Sequence, residues 1–337
     1  MDIGTHALAS LAIARATIPG KPQRAGLIVI LAGIFADIDS LSAYWGPAAY
    51  LRWHDAEVHS IAASLLIAAL LTTAFHFSFA PESRNNSPSI PLLFSASLAA
   101  TWLHLAMDVC QSNSLFLLWP FSTNRILFDW LPAIDPWIIA ILVAAILLPE
   151  LLHLVTSEIG TKSKKSRGRA AAITSLAIVL LLTAIRANFH SAIVAALQSR
   201  TYRGEFPRRV AAFPAALSLF SWNGVVETDS TFRLVALDAT QSAHFDSESA
   251  TTLFKPTPSL ELDAARTTNA AKFFLEHARI PKASVVKTES GFRVQLLDLC
   301  YAATQQTRHA VFAVIDLDFS GNLRDDRLEW SDHADSN

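Results

Sequence analysis

Apolar residues dominate the first 190 positions in six runs, at 4–18, 25–41, 60–80, 89–110, 136–155 and 170–186. The third and fourth are about 20 residues long, the length a bilayer core requires of a helix. The first is short for a full crossing and the second marginal. A backbone in lipid must satisfy its own polar groups, so these runs predict helices. "ANFHSAIVAALQSR" reads as an amphipathic continuation of the last one. After Trp222 the pattern changes to a period of two. "STFRLVALDA", "ASVVKTESGFRVQLLDLCYA" and "HAVFAVIDLDFSGNLR" predict strands, while "LDAARTTNAAKFFLEHARI" has helical spacing. The expected architecture is an α-helical integral membrane bundle of about five to six helices over residues 1–190. A small α+β extra-membrane domain over residues 191–337 follows it. No internal repeat is visible.

Composition sharpens the division. Of all residues 52% are hydrophobic and 17% charged, against roughly 25% charged in a soluble domain. Most of the charged side chains lie beyond residue 199. Net charge is −2, which implies no nucleic-acid partner. Two cysteines, Cys110 and Cys300, fall in different predicted domains and read as buried thiols. The N-terminus lacks a basic region before its apolar run, so it is not expected to be a cleaved signal peptide.

Basic residues orient the helices. The loop after the 136–155 run carries Lys162, Lys164, Lys165, Arg167 and Arg169, and is therefore expected in the cytoplasm. Alternating back puts Arg84, Lys21 and Arg24 on the same side. The 42–59 loop, the 111–135 loop and everything after residue 187 are then expected outside the cytoplasm, with the protein in the inner (plasma) membrane.

That orientation gathers the chemistry. His6, Asp37, Asp39, His54, His59, His104 and Asp108 all come out at the outer ends of their helices. His104 and Asp108 are four apart, so one helical turn places both on one face. Asp37 and Asp39 are two apart, and a regular helix would splay them by about 200°. His54 and His59 straddle a junction of loop and helix. A carboxylate in hydrocarbon costs a few kcal/mol, and a shared cation would offset that cost. Imidazole with carboxylate suits zinc, manganese or iron. Seven candidates exceed the four places around one zinc, so they could serve one ion with outer partners, or two ions. The expected cofactor is a divalent metal, foremost zinc. Asp39 and Asp108 are the candidate general bases for a water activated by that metal.

"DIGTHALASLAIAR", "AGIFADIDSLSAYWGPAAYLRWHDAEVHS" and "HLAMDVCQSNSLFLLWPFSTNRILFDWLPAIDPW" resemble the YdjM-type membrane-bound metal-dependent hydrolases, a family also labelled LexA-regulated inner-membrane proteins. The match rests on Thr5-His6, Asp37-x-Asp39, His54, His59-Ser60, His104, Asp108 and Trp119-Pro120-Phe121-Ser122. The tail "LSLFSWNGVVETDSTFRL" is also similar. Four places depart from the pattern: Ala36 stands where Pro is usual, Asp55 where Arg is usual, Val58 where Thr is usual, and "QSNSL" after Asp108 where a Thr-Ser-Tyr-Gly-Thr run is common. Losing the Arg beside His54 removes a phosphate contact. The resemblance implies metal-dependent hydrolysis and suggests phosphoesters, through similarity to the zinc-dependent phospholipase C group. A site at the outer bilayer surface would suit a membrane lipid or lipid-linked substrate. The alternative is a non-enzymatic membrane protein, either a transporter or an envelope-stress factor with a structural metal. Transport sites lie near the bilayer midplane, whereas these residues crowd one face.

Three lesser features carry expectations of their own. "DLDFSGNLRDDR" imitates a calcium loop, but Arg327 occupies the position of its bidentate Glu and the stretch reads as a hairpin turn. "FPRRVAAFP" and "FSWNG" are expected to anchor the soluble domain at the membrane interface. Arg125 and Asp129 are expected to pair with each other or to close a loop over the site.

Overall fold

A computed structural model describes residues 1–18, 20, 23–78, 88–158, 168–241, 245–304 and 310–331. The orienting residues Lys21, Arg84, Lys162, Lys164, Lys165 and Arg167 lie outside the described residues. The chain divides into two compact units. One comprises Met1–Leu41 with Trp53–Ala187. The other comprises Ser42–Arg52 with Asn188–Asn337.

The first unit is helical. It holds α1 (Ile3–Thr17), α2 (Gln23–Ile34), α4 (Ile61–Phe77), α5 (Ile90–Val109), α6 (Pro136–Glu158) and most of α7 (Arg169–Gln198). The short α3 (Pro47–Trp53) precedes α4 in the chain. Among the described residues, three helices are long and apolar enough to cross a membrane: α5, α6 to Leu154, and α7. The number rises to five if each of two bent pairs is one span. In the first pair, α2 meets a 3₁₀ stretch at Ala36–Trp45 at 53°; in the second, Pro47–His59 meets α4 at 73°. α1 has 15 residues and is not among them.

Small residues let these helices approach closely. Ala25, Val29, Ala96 and Ala100 are buried in one cluster with Leu93 and Phe75. Gly33 is the closest approach. A Cβ there would lie 1.8 Å from Ser10 Oγ and 3.3 Å from Ala100 Cβ. On α6 and α7, by contrast, Leu148, Leu151, Leu152, Leu154, Leu180 and Leu181 are exposed, as a lipid-facing surface requires. α6 contains Pro149, which removes an N–H from the ladder. Nearby, Arg15 donates to the Ile146 carbonyl at 3.0 Å. At the start of α6, Asp135 accepts from the N–H groups of Trp137 and Ile138. Its other oxygen lies 2.6 Å from Nη1 of Arg186 on α7, and both residues are fully buried.

The second unit is built on two four-stranded antiparallel sheets, each a simple meander in the order β1-β2-β3-β4 and β5-β6-β7-β8. The first contains β1 (Arg209–Pro214), β2 (Ser221–Glu227), β3 (Thr231–Asp238) and β4 (Thr251–Phe254). The second contains β5 (Pro281–Thr288), β6 (Gly291–Asp298), β7 (Val311–Leu317) and β8 (Leu323–Trp330). The last turns of α7 root the first sheet: Ile193 and Leu197 share a core with Tyr202, Trp222, Val226 and Leu237. The second sheet is covered by α8 (Leu260–Arg266) and α9 (Asn269–His277), through Leu262, Ala265, Ala271 and Phe274. The single helix expected over 262–280 is broken at Thr267 and Thr268, because the Thr268 side chain accepts from Ala271 N–H and starts a new helix. α10 (Leu299–Thr304) packs Leu299, Cys300 and Ala303 against the first sheet. Cys300 is buried and Cys110 only half-buried.

The interfacial anchors expected in "FPRRVAAFP" and "FSWNG" are largely strand instead. Register pairs Phe213 with Asn223 and Pro214 with Trp222. Phe213 and Trp222 fill the core, because burying these rings within the sheet removes more apolar surface than a bilayer edge would. Phe206 and Phe220 do remain exposed. The calcium look-alike is a hairpin, as its Arg327 implies. Gly321 takes φ 81° at the turn, and Asp318 accepts from the N–H groups of Ser320 and Asn322.

Asp316 is committed to arginines. Arg293 donates to it through Nε (2.7 Å) and Nη2 (3.2 Å), and Arg327 through Nη1 (3.0 Å). Burial pushes the Asp316 carboxyl up, but these hydrogen bonds outweigh burial and hold it below the usual carboxylate range. A group with a depressed folded pKa stabilises the fold above its unfolded value, about 3.9. That contribution disappears as pH falls through the folded value. The melting temperature of the full chain in detergent is therefore expected to fall below about pH 4, with part of the fall absent in Asp316→Asn. An identical acid profile in both proteins would contradict this assignment.

Candidate metal centre

Each candidate residue is placed by a local device. Asp2 caps α1, its carboxylate accepting from Thr5 N–H at 3.0 Å and from the Thr5 hydroxyl. This holds His6 in the first turn. Ser60 caps α4, accepting from Ala63 N–H at 3.1 Å, and fixes the bend directly after His59. α2 ends at Ile34, and the chain continues as a 3₁₀ stretch through Asp37 and Asp39. With three residues per turn, side chains two apart point about 240° from each other. The two aspartates therefore serve different partners.

Asp37 joins His6, His104 and Asp108. One ligand atom from each of these four lies within 4.8 Å of the others, and all four residues are buried. His6 Nε2 is 3.0 Å from Asp108 Oδ1, and His104 Nε2 is 3.0 Å from Asp108 Oδ2. The Met1 amino group also contacts Asp108. Asp39 takes the other two imidazoles: its Oδ1 is 3.0 Å from His54 Nδ1, and its Oδ2 is 2.9 Å from His59 Nδ1. The four rings run side by side, with centroid separations of 3.9 Å for His6–His104, 5.2 Å for His59–His104 and 6.5 Å for His54–His59. His59 Nε2 lies 3.7 Å from Asp108 Oδ2, which makes Asp108 the meeting point of the two groups.

The four-residue group fits a cation. A carbonyl can only accept, so His104 Nδ1–H donates to the Gly33 carbonyl at 2.8 Å. On a neutral ring this leaves the lone pair on Nε2, facing the Asp108 carboxylate. Two electron-rich atoms in contact repel unless a proton or a metal ion stands between them. Accordingly, Nε2 of His104, Nδ1 of His6 and Oδ2 of Asp37 are buried without an aligned hydrogen bond. A ligating histidine whose other nitrogen is held by a backbone carbonyl is the usual arrangement around a metal. Gly33 makes it possible here, since only a residue without Cβ lets its carbonyl come this close past Ser10.

A family model described as YdjM inner membrane protein matches residues 1–192. The chain belongs to the YdjM inner membrane protein family. Searches of curated proteins and of solved structures found no match. Family membership and the apolar helices together make this YdjM protein an inner membrane protein. Its buried His6, Asp37, His104 and Asp108 group could hold a metal ion. Trp119 and Pro120 are joined by a cis peptide, in a loop that returns to α5 through Trp130 and Leu131 N–H groups bonded to the Cys110 carbonyl. Arg125 of this loop lies over the Phe116 ring at 4.8 Å and reaches Ser114 Oγ at 3.4 Å.

Gly33 and its carbonyl are absent from the candidates that the sequence offers. The signal for them is a glycine one helical turn before two aspartates inside an apolar run.

Proposed function

We propose that this YdjM protein is a membrane-bound metal-dependent hydrolase acting on a phosphoester, with a membrane lipid or lipid-linked phosphate as its substrate. The observation that carries the reading is the convergence of His6, Asp37, His104 and Asp108 from α1, the 3₁₀ stretch and α5. A divalent cation such as zinc, held there, would polarise a phosphoryl oxygen and lower the pKa of a water. The residues supply the rest. His6 and His104 offer nitrogen ligands, and Asp37 and Asp108 offer oxygen ligands. Asp108, in reach of three imidazoles, is proposed to take the proton of the attacking water. Asp39 is proposed to support it by holding His54 and His59 at Nδ1.

Placement at a membrane surface is supported by exposed aromatic side chains in the segments joined to the site. Trp53, Trp119, Phe121 and Trp137 are all exposed, as rings at a bilayer interface are. The C-terminal unit and this end of the helices are proposed to lie outside the cytoplasm.

One observation favours a second reading, a structural cation without catalysis. The four-residue group is closed, with every member buried, as structural zinc sites are. Hydrolysis separates the two. The protein in lipid vesicles is expected to release phosphate or a phosphorylated headgroup from a phospholipid panel, to stop with chelator, and to resume with added Zn²⁺. Zinc bound with no hydrolysis of any phosphoester would support the structural reading instead.

A further inference from the structure

The two histidines outside the buried group present a second set of donors. His54 Nδ1–H donates to Asp39 Oδ1 at 3.0 Å, because a carboxylate can only accept, and His59 Nδ1 lies 2.9 Å from Asp39 Oδ2. The His54 ring therefore carries a proton on Nδ1, and the Nε2 atoms of both rings lie on the side away from Asp39. Both Nε2 atoms approach Asp55: His54 Nε2 is 3.5 Å from Asp55 Oδ2, and His59 Nε2 is 3.9 Å from Asp55 Oδ1. His59 is fully buried, yet neither of its ring nitrogens has an aligned hydrogen bond. Asp55 itself sits at φ 56°, a conformation that Asp tolerates better than most residues. Its backbone N–H is pinned by Asp39 Oδ2 at 3.1 Å. One carboxylate thus orients two imidazoles and the peptide that carries a second carboxylate.

We propose that His54, His59 and Asp55 form a second divalent-cation subsite, with Asp39 as the positioning residue behind both imidazoles. Two imidazoles and a carboxylate are a three-ligand set that leaves a coordination place open, the pattern of catalytic rather than structural zinc. The side chains of His54 and Asp55 keep 18% and 13% of their exposure, whereas His6 keeps none. His54 and Asp55 therefore offer a substrate oxygen an approach to the centre from this side. This deepens and rests on the hydrolase reading: the buried group holds the ion proposed above, and the half-open subsite takes a second ion on the more exposed side.

The test counts zinc in the detergent-purified full chain, loaded with Zn²⁺ alone and freed of excess. Wild type is expected to hold two ions per chain. Asp55→Gly, which suits the positive φ, and Asp55→Asn, which keeps the side-chain shape, are each expected to hold one. Asp39→Asn is expected to keep both ions but weaken the second by about 10–100-fold in a chelator competition, the usual cost of losing an outer partner. Size-exclusion elution and helical signal matching wild type show that the variants are folded. One ion in wild type and one in the Asp55 variants overturns the second subsite and leaves the buried site standing. Two ions in the Asp55 variants overturns the ligand assignment. No ion in wild type overturns both this proposal and the hydrolase reading.

Discussion

Replacing Arg186 by leucine is expected to destabilise the helical unit by about 3–5 kcal/mol, the cost of breaking a buried ion pair from one side. Arg186 and Asp135 are each fully buried, with Nη1 and Oδ2 2.6 Å apart. Leucine would leave the Asp135 carboxylate in an apolar interior with only the N–H groups of Trp137 and Ile138 to answer it. The double variant Arg186→Leu with Asp135→Asn removes the charge but keeps an oxygen to cap α6, and is expected to recover most of the loss. Thermal unfolding in detergent, followed by helical signal, measures both. A single variant as stable as wild type, or a double variant worse than the single, would contradict this role for the pair.

The larger functional effect belongs to Asp108. Its two oxygens face His6 and His104 at 3.0 Å each, and His59 lies 3.7 Å away. Asp108→Ala removes a carboxylate from between three imidazoles. It is expected to weaken divalent-cation binding by more than the roughly 10–100-fold that outer-shell changes cost, and to abolish any hydrolysis. A competition titration with a coloured chelator reads the first effect directly. Asp108→Asn keeps the shape and loses the charge, which separates loss of ligand charge from loss of packing. Unchanged affinity in both variants would remove Asp108 from the site.

Much of this centre is legible in the sequence, because spacing on a regular helix is a strong constraint. His104 and Asp108, four apart on α5, share a face whatever surrounds them. The bend after His59 is also visible, since a Ser at the start of an apolar run is a helix cap. What the residues alone do not reveal is where regular structure stops. The second apolar run reads as one helix through Leu41, yet α2 ends at Ile34. The 3₁₀ stretch then sends Asp37 to His104 and Asp39 to His54 and His59. Asp55 reads only as a missing arginine. Its geometry depends on a backbone conformation that no side-chain pattern announces. In the second unit, "RVAAFP" and "SWNGVV" are short and rich in small residues, so their pairing as β1 and β2 comes from tertiary packing against α7 and α10 rather than from alternation.

The helical count illustrates the same limit. Length and apolarity identify α5, α6 and α7, but the two bent pairs satisfy the length requirement only when each is taken as one span. Their breaks fall at the segments that carry Asp37, Asp39, His54 and His59. Irregular backbone inside a membrane protein is tolerated where it is buried in protein or lines a cavity. The interruptions and the clustered polar side chains therefore have one cause: the chain leaves helical geometry where it must aim those side chains inward.

The central claim is that imidazoles and carboxylates from separate segments bind a divalent cation. X-ray absorption at the zinc edge of the purified, zinc-loaded protein tests it most directly. The expected spectrum shows a shell of nitrogen and oxygen only, at about 2.0–2.2 Å, with the outer scattering of about two imidazoles per zinc and no sulfur. A zinc edge no stronger than the buffer's, or a sulfur shell at about 2.3 Å, would contradict it.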